Sequence, residues 1–374
     1  MAIEFVADKK TLLSVIQPAL AATSNRSTLP ALEGLLFRLQ DNLLTVCGYD
    51  LEKGVRTRGI VKPISEGAVI VNAQKVAAII KIFPDADISF VADDKNIVTL
   101  SCGPSVFSIH GLTAEAFPNM PDLSGDNGFC ISQSLMKEII NGTCFAVSQL
   151  DTRPILTGEF FHIEDRSITA VALDNYRLAL REEKGCIFDN ENAFSFVVPG
   201  KSLNELSRLL ADTEEMLRVE FTAKYVIFKV GDIVLFSRLL EGEFLDYKRA
   251  IPAQNKIFVR LSREAFEDSV ERASLLVDEK LKTPLKCRFV GDQLQITCST
   301  QMGKVNDMLP IKKDGDDLEI GFNNRFLLDA LRACKDDELK ISLSSPFMSM
   351  VIEPVKPSDA GTYLYLVLPV KLKD

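Results

Sequence analysis

Hydrophobic positions in this chain switch repeatedly between a period near two and a period near 3.6. Residues 195–233 show the rule. Phe196, Val197 and Val198 form a short apolar run, Pro199-Gly200 breaks it, and Leu203, Leu206 and Leu210 then fall on one helical face. Alternating runs at 218–222, 225–230 and 233–239 follow, so the segment predicts strand, helix, strands. The same order recurs at 67–109, where Val76, Ile79, Ile80 and Phe83 make the helical face, and at 318–353, where Leu327, Ala330, Leu331 and Cys334 do. The last copy predicts strands at 318–322, 339–343 and 347–353. The copies lie about 125 residues apart, the length of one ordinary domain.

A related unit fills the gaps. Strand runs at 3–6, 129–131 and 258–261 lead into helical faces of Leu12, Val15, Ile16 and Ala19, then Met136, Ile139 and Ile140, then Phe266, Val270 and Ala273. Each helix is followed by similar punctuation, Thr28-Leu29-Pro30, Thr152-Arg153-Pro154 and Lys282-Thr283-Pro284. A hairpin follows each, turning at Asp41-Asn42, Asp165-Arg166 and Gly291-Asp292. The chain therefore reads as α+β, six strand-helix-strands modules paired into three similar domains at 1–125, 129–252 and 256–374. Glu115–Asp122 and Glu243–Tyr247 close the first two domains, with polar linkers at 124–128 and 252–255. The third ends in an apolar run at 363–372, read as a strand whose Pro369 favours a sheet edge.

At 374 residues and 47% hydrophobic content the chain can bury several cores. No apolar run reaches the roughly 18 residues a membrane span needs, and no signal peptide is evident, so a cytoplasmic protein is expected. The eight cysteines show no CxxC pairing and read as small buried hydrophobes, not as disulfides or metal ligands. A net charge of −9 argues at first against nucleic acid, yet the placement of charge matters more than its sum. The six helices carry +3 together and the remainder −12, although the fifth helix, at 262–276, stands at −2. His110 and His162 lie in strand patterns far apart, and the acidic clusters at 93–94, 314–317 and 336–338 bracket turns, where solvated charge is the simple reading. No P-loop, dinucleotide fingerprint or metal-ligand pair is present, so neither a cofactor nor a catalytic residue is expected.

The threefold repeat, Thr28-Leu29-Pro30, Leu173-Asp174-Asn175-Tyr176-Arg177-Leu178, Phe244-Leu245-Asp246-Tyr247-Lys248-Arg249 and the closing Leu368-Pro369-Val370-Lys371-Leu372 together resemble the bacterial DNA polymerase III beta subunit family, over essentially the whole chain. The resemblance implies a non-catalytic processivity factor: a head-to-tail homodimeric ring, helices inside and sheets outside, that encircles double-stranded DNA. It also implies the replicative polymerase alpha subunit, an ATP-dependent clamp loader and clamp-binding repair proteins as partners. Twelve helices at ~9 Å spacing would trace a circle roughly 34 Å across, leaving a hole of about 24 Å once ~10 Å of helix thickness is removed, enough for a duplex.

Carried over residue by residue, the resemblance places a peptide pocket at Leu156, Leu173, Asn175, Tyr176, Arg177, Leu178, Leu245, Arg249 and Ala250. Phe347, Ser349, Leu366, Leu368, Pro369, Val370, Lys371 and Leu372 complete it from the third domain. Arg177, Arg249 and Lys371 are expected as a basic rim around an apolar cleft. Asn175-Tyr176 departs from the smaller pair the family carries there, and Lys373-Asp374 extends past its usual terminus. Candidate DNA contacts are Arg26, Lys75, Lys81, Arg153, Lys201, Lys280 and Lys282, on or just beyond the helices. The dimer seam is expected from Phe107 and Ile109 against Leu275 and Leu276 of a second copy. Two other classes remain open at this point: an α+β enzyme using a Cys or His in an interdomain cleft, and a protein-binding scaffold without a DNA role.

Overall fold

The computed structural model describes residues 3–24, 26–121, 125, 127–150, 152–188, 193–278 and 283–372. Six α-helices follow the expected faces: α1 Lys9–Leu20, α2 Ala73–Ile82, α3 Gln133–Thr143, α4 Gly200–Leu209, α5 Arg263–Ser274 and α6 Asn324–Ala333. Each predicted apolar face is buried, with Phe83, Leu210 and Cys334 tucked in just beyond their helix ends. Four helices begin the same way: the residue before the helix turns the chain and caps it with a side-chain oxygen. Asp8 accepts from Thr11 N (2.8 Å), Asn72 from Lys75 N (3.0 Å), Ser262 from Ala265 N (3.3 Å) and Asn323 from Arg325 N (3.0 Å). Such caps satisfy amide groups that the first helical turn leaves without partners, which fixes where strand gives way to helix.

The chain separates into two compact units, 1–134 with 208–239 and 135–207 with 240–374, so the middle third of the sequence contributes to both. In the first unit α1 and α2 pack together on an antiparallel sheet. Its strands run Asn127–Ser132, Met216–Phe221, Tyr225–Val230, Ile233–Arg238, Lys53–Ile60, Leu43–Tyr49, Gly34–Gln40, Gly67–Asn72, Ser105–Thr113, Ile97–Cys102, Asp87–Ala92, Ile3–Asp8 and Lys62–Ser65. Phe90 anchors the helix side of the core, stacked on Phe5 at 4.8 Å and on Phe37 at 5.0 Å. A second cluster joins Tyr49, Ile70 and Phe117 to Ile227 and Phe236, which ties strands of the first and second sequence repeats into one body.

In the second unit a nine-stranded antiparallel sheet runs Phe194–Pro199, Gly158–Glu164, Ser167–Leu173, Arg177–Lys184, Gly361–Val367, Met350–Pro354, Glu338–Leu343, Ile257–Ser262 and Lys312–Asp314. A four-stranded sheet holds Gly303–Pro310, Gln293–Thr300, Leu285–Val290 and Leu318–Phe322, and α5 packs against α6. The three hairpin turns fall where expected. Asp41, Asp165, Arg166 and Gly291 take φ of 52°, 50°, 62° and 52°, the left-handed backbone that tight hairpins require.

Two strand expectations are corrected. The strand expected from Phe347 starts at Met350, because residues 346–347 turn and expose Phe347. The final strand ends at Val367 and lies inside the sheet, not at its edge. Pro369 falls beyond it, where the missing N–H costs no ladder bond. The chain then continues to Val370, whose N–H donates to the Gly321 carbonyl (2.8 Å) along the free edge of Leu318–Phe322. Position 321 must be glycine, since a Cβ there would sit 2.7 Å from both the Val370 oxygen and the Leu372 side chain.

Candidate functional site

The pocket residues are assembled by one strand pairing. Arg177–Lys184 pairs antiparallel with Gly361–Val367 in full register, from Arg177 opposite Val367 to Glu183 opposite Gly361. The turn feeding the first of these strands is fixed by Asp174, whose Oδ1 accepts the N–H of Tyr176 (2.7 Å) and of Arg177 (3.0 Å). This is the side-chain turn that an Asp-Asn dipeptide favours. Leu368 N–H donates to the Tyr176 carbonyl (2.8 Å), so the chain's last residues are tied to the same turn.

Leu156, Leu173, Leu178 and Leu366 are all buried and cluster with Val171, flanked by half-buried Phe160, Phe244, Tyr247 and Leu364. They form an apolar floor. Apolar side chains that solvent still reaches lie on the segments leading to it: Tyr176 (55% exposed) and Leu368 (40%), tied to each other through the backbone, and Leu245 (42%) next to Phe244; Phe347 (75%) is exposed on the turn before Met350–Pro354. Asn175, Ala250 and Lys371 are exposed, Pro369, Val370 and Leu372 are half-buried, and Ser349 is buried. Met348, next to Phe347, is exposed as well.

Arg177 requires a correction: it is no rim cation. Its side chain is 8% exposed, with Nη1 2.5 Å from Asp329 of α6 and Nε 3.2 Å from Asp174. The guanidinium also lies over the Phe326 ring (4.7 Å) and near the Phe145 ring (5.4 Å). The i, i+3 spacing of Asp174 and Arg177 was visible in the sequence, but Asp329 and Phe326 reach the site only through the tertiary fold. Tyr176 stacks on the same Phe326 at 5.6 Å, so the departure at this position places an exposed aromatic ring at the turn. Arg249 is exposed and pairs with Asp246 at 2.8 Å.

Of the candidate DNA contacts, Arg26, Lys75, Lys81, Arg153 and Lys201 are exposed, and none forms an ion pair with a described residue. Lys280 and Lys282 lie outside the described residues, as does the Lys373-Asp374 extension. The acidic count of the fifth helix is mostly offset locally. Glu267 pairs with Arg263 (2.6 Å) and with Arg332 of α6 (3.4 Å), and Glu271 pairs with Arg332 (2.5 Å). Of the seam residues, Leu275 is 81% exposed and Leu276 half-buried; Phe107 and Ile109 are half-buried against the first unit's core, where Phe107 meets Phe83 edge-on at 5.5 Å. Ser105–Thr113 pairs with Ile97–Cys102 through 105–110 but with Gly67–Asn72 only through 111–113, which leaves one edge of 105–110 unpaired among the described residues.

The chemistry a Cys or His enzyme needs is poorly served. Burial pushes the thiols of Cys47 up to about 11 and of Cys186, Cys287 and Cys334 up to about 12, and it raises Cys144 and Cys298 as well, so these six stay protonated at neutral pH. His162 hydrogen-bonds Ser195 (2.8 Å) and Glu164 (3.2 Å) on a solvated sheet face, far in sequence from His110 on Ser105–Thr113. No metal-holding cluster exists among the described residues.

Three repeats, each with two helices and antiparallel strands, and an apolar floor where two repeats share a strand pair define a three-domain clamp architecture. Family models for the N-terminal, central and C-terminal domains of the DNA polymerase III beta subunit match residues 3–121, 130–246 and 248–371. The chain belongs to the DNA polymerase III beta subunit family. It is 34% identical to the beta sliding clamp of Halalkalibacterium halodurans and 30% identical to that of Bacillus subtilis, in each case across 98% of this chain and 99% of the relative. The crystal structure of the Bacillus subtilis DNA polymerase sliding clamp matches it with a TM-score of 0.94 at 29% identity, covering both chains fully.

Proposed function

We infer that this chain is a DNA sliding clamp: a processivity factor that encircles duplex DNA as a head-to-tail homodimer and tethers a polymerase. The observation that carries this reading is the match of all three clamp domains, in order and over the whole length, to relatives of that name. A closed ring holds DNA by topology, so its direct contacts can be few. Scattered cations such as Arg26, Arg153 and Lys201, exposed and without an ion pair to any described residue, suit that task, because extensive phosphate neutralisation would oppose sliding. The deciding experiment is retention on nicked circular DNA followed by linearisation. The clamp stays on the circle and runs off the cut DNA; equal retention on both refutes encirclement.

Neutralising Arg26, Arg153 and Lys201 together should reduce loading several-fold and flatten its salt dependence, with the melting curve unchanged. Unaltered loading would remove these residues from the DNA face. At the seam, Leu275 presents an exposed apolar side chain next to a helix end, and burying a leucine is worth roughly 1.5–3 kcal/mol at each of two contacts per ring. Light scattering of a Leu275→Asp, Leu276→Asp variant should therefore read a monomer, and an intact dimer would relocate the interface.

The floor of Leu156, Leu173, Leu178 and Leu366, with exposed Tyr176, Leu245, Phe347 and Leu368 as its further apolar members, suits a short apolar motif from the polymerase alpha subunit, a clamp loader or a repair protein. Action on chromosomal DNA implies the cytoplasm, and loading needs an external ATP-driven opener. Deleting residues 370–374 should abolish capture of a clamp-binding peptide while the dimer persists; retained capture would empty the assignment.

A further inference from the structure

The outer strands of the nine-stranded sheet carry a feature that neither the ring nor the peptide floor uses. Cross-strand register sets Lys312 opposite Arg260 and Arg260 opposite Lys340, so three cations on three adjacent strands stand side by side on one sheet face. Directly opposed residues are only ~5 Å apart, and like charges so placed repel. Glu353 on the next strand pairs with Lys340 at 3.1 Å, while Asp314 and Glu338, each two residues along its strand from a member of the row, share the face without an ion pair to Arg260 or Lys312. Arg260 and Lys312 are exposed and make no ion pair with any described residue. Two positions before Arg260 on the same face, Phe258 is 41% exposed, and it lines a recess with Arg260, Lys312 and Lys340, Asp314 standing opposite Phe258 at the end away from the row.

Edge protection does not account for the row. Lysines on an outermost strand discourage sheet-to-sheet association, which would explain Lys312 alone. Lys313, its neighbour, turns away, with Nζ held by Asp317 (3.0 Å) and the Gly315 carbonyl (2.7 Å). Arg260 and Lys340 lie one and two strands further in, where an edge needs no guard.

We propose that Lys312, Arg260 and Lys340, with Phe258 beside them, form a docking site for an acidic, extended segment of a partner protein. Charge complementarity selects the occupant: a local positive row on a chain of net charge −9. Spacing selects its form. The row spans ~10 Å, and carboxylates two residues apart on an extended chain lie ~7 Å apart, so two of them fit along it, whereas one small anion meets a pair of cations at most. Phe258 supplies the apolar contact that distinguishes a peptide from a free anion.

The test uses the full-length protein and a fluorescein-labelled peptide with two glutamates separated by one residue and followed by a phenylalanine. Fluorescence anisotropy should report binding that weakens with salt, falls about tenfold or more in Arg260→Glu or Lys312→Glu, and falls further when Phe258→Ser is added. Circular dichroism melts of these exposed-site variants should overlay the parent. Four results would each overturn the proposal: no binding, equal binding by the charge-reversed variants, equal binding of a peptide with lysines for glutamates, or displacement by inorganic phosphate or a thymidine oligonucleotide at matched charge. DNA retention reads a different property, so either reading can fail without the other.

Discussion

An Arg177→Ala variant should lose about 3–5 kcal/mol of stability, among the largest effects of any single substitution in this chain. Its guanidinium is enclosed by Asp174 (15% exposed), Asp329 (26% exposed) and the faces of Phe326 and Phe145. Truncation leaves two poorly solvated carboxylates without a counter-charge, and losing that compensation costs more than the ion pairs contribute net. Two lost cation–π contacts add about 0.5–1 kcal/mol each. Lysine should not rescue the loss, because a point ammonium cannot serve Asp174 through Nε and Asp329 through Nη1 while lying flat on a ring. Adding Asp329→Ala to Arg177→Ala should recover part of the stability, since one stranded charge is then gone. The check is urea unfolding of the parent, both single variants and the double. A loss under about 1 kcal/mol for Arg177→Ala would mean the pair is solvated. Because Phe326 bears Tyr176 on its ring, the same variant should weaken capture of a clamp-binding peptide although Arg177 itself lies beneath the surface.

Glu159→Gln should act in the opposite direction and stabilise the protein at neutral pH. Glu159 is fully buried on Gly158–Glu164, and burial pushes its carboxyl up to about 8, with the Thr143 hydroxyl pulling the other way. Hydrogen-bond geometry agrees that the group is protonated. Thr143 Oγ1 lies 2.7 Å from the Ile139 carbonyl and 2.6 Å from Glu159 Oε1. Thr143 has a single hydroxyl proton to share between the Ile139 carbonyl and Oε1, so the carboxyl receives only part of a hydrogen bond, too little to offset the burial. Its second oxygen, Oε2, is buried without a partner, which a carboxylate would tolerate badly. Facing it, Cys144 has a thiol whose ionisation is also suppressed by burial and by Glu159.

Below the ordinary glutamate value of 4.5 both folded and unfolded chains hold the proton, and the group adds no pH dependence. Between 4.5 and about 8 the unfolded chain releases it while the folded chain keeps it, so stability falls by about 1.4 kcal/mol per pH unit and levels off above. At pH 7 the accumulated cost is about 3 kcal/mol, which a neutral glutamine does not incur. Urea midpoints should thus decline from pH 5 to pH 8 more steeply for the parent than for Glu159→Gln, and the two should converge near pH 4.5. Parallel profiles would show that Glu159 ionises freely in the folded chain.

The sequence by itself determined the repeat, the helices and their buried faces, the hairpin turns and the family. Each is a local matter: apolar spacing sets which face is buried, and a capping or turn residue sets where an element begins, as Asp8, Asn72, Ser262 and Asn323 do. Only the tertiary structure decided what became of particular polar and terminal groups. Arg177 reads as a rim charge until Asp329, 152 residues away, closes on it. Pro369 reads as part of an edge strand until the preceding strand is found inside the sheet. The row of Lys312, Arg260 and Lys340 exists only once register is fixed. Burial energies follow the near-neighbour pattern of the chain, whereas the environment of a charge depends on every group within a few ångströms, and most of those arrive from far along the sequence.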